Sequence, residues 1–132
     1  MANHTYTTPG TYNARLTVTD DRGAASSTAV PITVNTAAPN APTTLTATAV
    51  SNSQVNLVWT DNASNEDGFK IERCAGNNCS SFTQIVTVAA NVRTYANIGL
   101  SRNTNYTYRV RAYNLSGNSA YSNTSIAKTL RK

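Results

Sequence analysis

Tyr106-Thr107-Tyr108-Arg109-Val110-Arg111-Ala112-Tyr113 alternates, residue by residue, between side chains suited to an interior and side chains suited to water. Successive side chains of a strand point to opposite faces, so Tyr106, Tyr108, Val110 and Ala112 are expected inside, and Thr107, Arg109, Arg111 and Tyr113 outside. The same period of two recurs upstream and downstream. Leu45 and Ala47 share a face of a first strand, and Val55, Leu57 and Trp59 share a face of a second, between the turn Ser51-Asn52-Ser53 and the loop Asp61–Gly68. Phe69 and Ile71 alternate with Lys70 and Glu72 on a third. Ile85 and Val86 mark a fourth, Tyr95 with Ile98 a short fifth, and the segment from Tyr121 to Ala127 a seventh after the turn Ser116-Gly117-Asn118. Short strands at this spacing predict an all-β sandwich over residues 43–132. Its expected core is Leu57, Trp59, Phe69, Ile71, Leu100, Tyr106, Tyr108 and Val110.

Composition points the same way. The charged share of 13% is about half that of an ordinary soluble domain, whereas 21 Thr, 17 Asn and 12 Ser make up 50 of the 132 residues. Thr is β-branched and fits a pleated surface, and Asn and Ser favour turns, so a helical bundle is excluded. No apolar run approaches the ~20 residues of a membrane-spanning helix, and the first residues have neither the basic nor the apolar region of a signal peptide. Any targeting signal is expected to lie outside this sequence.

The first 36 residues form a separate pattern. Tyr12, Ala14, Leu16 and Val18 alternate with Asn13, Arg15, Thr17 and Thr19, the turn Asp20-Asp21-Arg22-Gly23 follows, and Val30, Ile32 and Val34 share a face of the next strand. Pro31 lacks an N–H and belongs on an edge or at a bulge. A short strand at His4–Thr7 precedes a Pro9-Gly10 turn, which completes a three-stranded meander. Its apolar face has nothing within residues 1–36 to cover it, and self-association through residues 12–34 is one expectation. Ala37-Ala38-Pro39-Asn40-Ala41-Pro42 reads as a linker. Charge divides at the same place: Arg15 and Arg22 balance Asp20 and Asp21, and the whole net charge of +5 falls after Pro39.

The strings His4-Thr5-Tyr6, Pro9-Gly10-Thr11-Tyr12 and Leu16-Thr17-Val18-Thr19-Asp20 through Gly23 resemble the C-terminal part of a PKD-type domain over residues 4–35. The resemblance implies an incomplete sandwich in which Tyr6 and Tyr12 are core residues. Residues 43–129 resemble a fibronectin type III domain, an immunoglobulin-like sandwich of seven strands. That likeness is carried by Trp59, Gly68-Phe69-Lys70-Ile71-Glu72-Arg73, Gly99-Leu100 and Tyr106 to Ala112 with Asn114, Gly117 and Ser122. It implies that Tyr106 forms the tyrosine corner, its hydroxyl bonding to backbone upstream.

Cys74 and Cys79 depart from that family pattern. They flank Ala75-Gly76-Asn77-Asn78, whose Gly and Asn can take positive φ, so the chain can reverse there and bring the thiols together. A local disulfide is the main reading and points to an oxidising compartment, with two reduced thiols beside a loop as the alternative. Zinc would require two further ligands, and His4 is the sole histidine.

Chemistry is sparse. No nucleophile motif, phosphate loop or paired metal motif occurs, and Asp61, Glu66 and Asp67 lack the alternating spacing of a calcium loop. They read as residues of a solvated turn. Six Asn-x-Ser/Thr sites occur, close to what this composition scatters, so none is read as glycosylated. A candidate binding face comprises Lys70, Arg109, Arg111 and Tyr113 with Glu72 nearby, because cations beside aromatics suit sugars or polyanions. The competing reading is a set of cross-strand charge pairs. The charge lacks the clustered stripe that nucleic acid demands. The expectation is a non-catalytic accessory segment of a larger secreted bacterial protein, with no cofactor or metal and no membrane span. Neighbouring domains of the parent chain are its expected partners, with polysaccharide as a candidate ligand and an adhesin as a further alternative. Bacterial polysaccharide-degrading hydrolases and proteases carrying such modules suggest the parent by resemblance alone.

Overall fold

The computed structural model describes Tyr6, residues 10–34 and residues 37–132. The chain divides into two compact units, Met1–Ala37 and Ala38–Lys132.

In the first unit, β1 (Gly10–Thr19) and β2 (Ala25–Val34) form an antiparallel hairpin with Tyr12 opposite Ile32 and Ala14 opposite Val30. The expected turn closes it. The Gly23 N–H donates to the Asp20 carbonyl at 3.1 Å, and the Asp20 carboxylate accepts from the N–H groups of Arg22 and Ala24. Gly23 has φ +85°, a conformation that costs a residue without a Cβ little. The ring of Tyr6 lies 4.3 Å from that of Tyr12, centroid to centroid. Apart from Tyr6, the expected strand His4–Thr7 lies outside the described residues, as does Pro9. Leu16 and Val18, on the apolar face, remain 63% and 60% exposed.

The second unit is a two-sheet sandwich. One sheet has the order β3-β4-β7, with β3 (Thr43–Ala49), β4 (Val55–Thr60) and β7 (Thr94–Asn97). The other has the order β10-β8-β5-β6, with β5 (Gly68–Ala75), β6 (Thr83–Ala89), β8 (Asn105–Asn114) and β10 (Ser125–Lys128); the two-residue β9 (Gly117–Asn118) pairs with β8. All eight expected core residues are buried between the sheets. The rings of Trp59 and Phe69 meet at 5.7 Å across the two sheets. Each fully buried aliphatic or aromatic side chain contributes about 1.5–3 kcal/mol, so this layer dominates the stability of the unit.

Tyr106 makes the corner: its hydroxyl accepts the Ser101 N–H at 2.9 Å. Beneath it, the buried Asn97 carboxamide accepts from the Tyr108 hydroxyl and from Arg73, each at 3.0 Å. Burial pushes the Tyr108 hydroxyl well above the usual tyrosine pKa, so it remains a donor. Between β3 and the last strand, side chains replace a backbone ladder. Asn123 accepts from the Leu45 N–H and donates to the Leu45 carbonyl, and the Ser125 hydroxyl accepts from the Ala47 N–H.

Three details differ from the sequence reading. Ile98 is exposed, because β7 ends at Asn97 and that polar residue takes the interior position. The seventh strand is regular only over Ser125–Lys128; upstream, Ser119 and Ser122 keep the chain against β8 through bonds to Ala112 and Val110. Pro39 and Pro42 are buried within the second unit, where Asn62 donates to the Ala41 carbonyl and accepts from Asn40 through its own carbonyl.

Candidate functional site

The outer face of the larger sheet carries the candidate binding residues, and β5–β8 pairing brings them together. Lys70 lies opposite Arg111, Glu72 opposite Arg109, and Gly68 opposite Tyr113. Gly68 is required by close approach: a Cβ there would clash with the Val88 carbonyl oxygen and meet the Tyr113 ring at 3.2 Å.

Glu72 is the centre of the face. One carboxylate oxygen accepts from Arg109 Nε at 2.8 Å and lies 2.6 Å from a terminal nitrogen of the same guanidinium. The other accepts from the Tyr121 hydroxyl at 2.8 Å and lies 3.2 Å from Arg111. Only 5% of Glu72 is exposed. Burial alone would raise its carboxyl pKa, but the hydrogen bonds from Tyr121 and Arg109 and the charges of Arg109 and Arg111 outweigh that and hold it below the usual value. Tyr121 moves upward, first through burial and then through its bond to the Glu72 carboxylate.

Aromatic rings complete the arrangement. The Arg109 guanidinium lies 3.7 Å from the Tyr121 ring centroid and 4.2 Å from that of Phe82, so it is held between two rings. Arg111 lies 4.8 Å from the Tyr121 centroid, and its buried Nε has no hydrogen-bond partner. Lys70 sits 4.8 Å over Tyr113 and donates to Asn118 at 2.8 Å. Both terms of the sequence-based alternative are therefore present: the cations and aromatics share one surface, and their polar groups are engaged with one another.

Phe82 and Tyr121 were not among the candidates. Phe82 reaches the face because Cys74 and Cys79 form a disulfide that turns the chain back onto the sheet, with Gly76 at φ +107° and Asn78 at φ +51°. Tyr121 reaches it from the irregular run ahead of β10, where no period of two assigns a direction. Thr107, expected outside, does point away from the core but is 8% exposed, because the disulfide loop lies over it. In the acidic loop, the Asp61 carboxylate accepts from the Ala63 N–H and the Glu66 carboxylate from the Asn91 N–H. Among the described residues, no cluster of three His, Cys, Asp or Glu side chains is placed to hold a metal.

Two antiparallel sheets, a buried Trp on the second strand of the sandwich and a tyrosine corner define an immunoglobulin-like β-sandwich module. The chain belongs to the fibronectin type III family, whose model matches residues 40–128, and residues 1–35 match the PKD domain. Domains A168–A170 of titin are 26% identical, with a TM-score of 0.65 over 92% of this chain and 41% of that one. A Fn3-like protein from Clostridium thermocellum is 26% identical, with a TM-score of 0.59 over 70% of this chain and 95% of that one. The FN1–FN3 domains of chicken CNTN1 share the fold at 21% identity and a TM-score of 0.70, over 93% of this chain and 43% of that one. The chain thus spans less than half the length of the titin and CNTN1 structures. No curated protein matches it. Both domain families are accessory modules of extracellular type, and fibronectin type III domains are generally non-catalytic.

Proposed function

We propose that the chain is a non-catalytic spacer and docking segment of a larger secreted bacterial protein whose parent is a polysaccharide-degrading hydrolase or a protease. The observation that carries the spacer reading is the closed state of its best candidate face. Glu72 engages Arg109, Arg111 and Tyr121, and the rings of Phe82 and Tyr121 are covered by guanidinium groups. A ligand would have to displace these contacts before making its own, which favours a stiff, soluble surface over a binding platform. The disulfide supports an oxidising compartment, and the likeness to the Clostridium thermocellum protein supports the bacterial setting.

The test is retention of the full chain on insoluble cellulose, chitin and xylan. None is expected; retention that disappears when Tyr113 and Lys70 are both replaced by Ala would replace the spacer reading with that of a carbohydrate-binding module. A self-assembling or adhesive role rests on a different observation, the exposed apolar face of β1 and β2. It predicts a dimer in sedimentation velocity that Leu16→Asp dissociates, and a monomer at all concentrations would dismiss it.

A further inference from the structure

Beside the disulfide, at the opposite end of β8 from Tyr113, a pocket of about 280 Å³ is lined by Gly76, Asn77, Asn78, Asn105, Thr107 and Ile126. No charged side chain lines it. Two of the three carboxamides are already oriented, since Asn105 donates to the side-chain oxygen of Asn77. Backbone bonding fixes the loop, with the Gly76 N–H donating to the Asn105 carbonyl at 2.9 Å and Cys74 joined to Cys79. The second observation is Thr107. It is 8% exposed, lines the pocket, and its hydroxyl has no hydrogen-bond partner in the protein. The hydroxyl is not sealed off: among the described residues the buried side-chain polar atoms without a partner are Trp59 Nε1 and Arg111 Nε, so the Thr107 hydroxyl opens onto the pocket, where water or a ligand meets it.

We propose that this pocket is a subsite for one neutral sugar residue, either free or at the end of a chain. Carboxamides present a donor and an acceptor side by side, which suits neighbouring hydroxyls, and the unpartnered Thr107 hydroxyl supplies a further partner at the wall. Ile126, 66% exposed at the rim, offers an apolar surface to the C–H face of the ring. The lack of charge in the lining disfavours phosphate and carboxylate ligands. The pocket lies on the same outer face as Glu72, with Thr107 at the next outward position along β8 from Arg109, but shares no lining residue with the Glu72 cluster. It also predicts no retention on insoluble fibres, where chain ends are sparse, so the two tests fail independently.

Thr107→Val is the informative substitution, because it keeps the β-branched shape and removes a hydroxyl that holds nothing in the protein. The full ¹⁵N-labelled chain is titrated with glucose, xylose and N-acetylglucosamine, with their short oligomers, and with glucuronate and inorganic phosphate. Neutral sugars are expected to shift the amides of Gly76–Asn78, Asn105, Thr107 and Ile126. Oligomers stronger than monomers per molecule would identify a chain end, and equal affinities a free sugar. Thr107→Val is expected to weaken binding about tenfold, the loss of one hydrogen bond, while leaving the melting temperature unchanged. The proposal is overturned if no neutral sugar shifts these amides, if glucuronate or phosphate binds more tightly, if the shifts fall on the Glu72 cluster, or if Thr107→Val lowers the melting temperature and so proves the hydroxyl structural.

Discussion

β1 and β8 are both ten-residue strands in which an aromatic and then smaller apolar residues recur at every second position. Their fates differ. Tyr108, Val110 and Ala112 on β8 are fully buried, whereas Leu16 and Val18 on β1 stay more than half exposed. Both strands are paired and both alternate correctly. What separates them is a second layer: residues of the facing sheet, among them Val55, Leu57 and Trp59 of β4, share one buried core with the inner face of β8, and nothing among the described residues of the first unit plays that part for β1. Alternation selects which face of a strand is apolar, but only a facing sheet converts that choice into stability.

The widest separation between the two strands is expected from truncation. Tyr108→Ala should destabilise the second unit by about 3–5 kcal/mol, through the cavity and the lost bond to Asn97, whereas Leu16→Ala should change stability by less than about 0.5 kcal/mol. Urea midpoints for the two variants measure the contrast directly. A similar cost at both sites would mean that β1 is covered.

Replacing Cys74 and Cys79 by Ala removes a short closed loop from the second unit, and a loss of about 2 kcal/mol is expected on the chain-entropy model. Calorimetry of the paired variant reads it, and no change in melting temperature would show that the loop is held by its other contacts alone.

Glu72→Gln is expected to cost about 1–2 kcal/mol, the partners being about a quarter exposed. Its sharper consequence concerns pH. The folded carboxyl has a lower pKa than the unfolded one, so the stability it adds is complete above the unfolded value of about 4.3 and is lost as pH falls through the folded value. The wild-type protein should therefore lose stability faster than Glu72→Gln in acid titrations below about pH 4.3. Parallel curves would assign the acid sensitivity to other carboxylates.

The smallest effect is reserved for the corner. Tyr106→Phe keeps the ring and removes one acceptor from the Ser101 N–H, with an expected cost of about 1 kcal/mol in urea unfolding. A neutral result would mean that water replaces the hydroxyl.

What could be read in the sequence followed the backbone's period. The core positions Leu57, Trp59, Phe69, Ile71 and Tyr108 were legible because each sits at every second position of a run bounded by turn residues. The corner was legible through family likeness, since nothing in the local pattern says where a tyrosine hydroxyl points. Asn97 and Asn123 were not legible: each replaces a hydrophobic or backbone contact with side-chain hydrogen bonds, and only tertiary proximity shows that. At the candidate face, Lys70, Glu72, Arg109 and Arg111 followed from alternation and register, whereas Phe82 and Tyr121 enter from irregular segments. The burial of Thr107 likewise depended on where the disulfide loop folds.

Native-state hydrogen exchange on the full chain tests the contrast between the two units most directly. Amides of β8 and β5 should exchange only through global unfolding of the second unit, while those of β1 and β2 should exchange through low-energy local opening, since a lone hairpin is marginal in water. Equal protection of β1 and β8 at every protein concentration would contradict the account, because it would require a cover over Leu16 and Val18 within the chain itself.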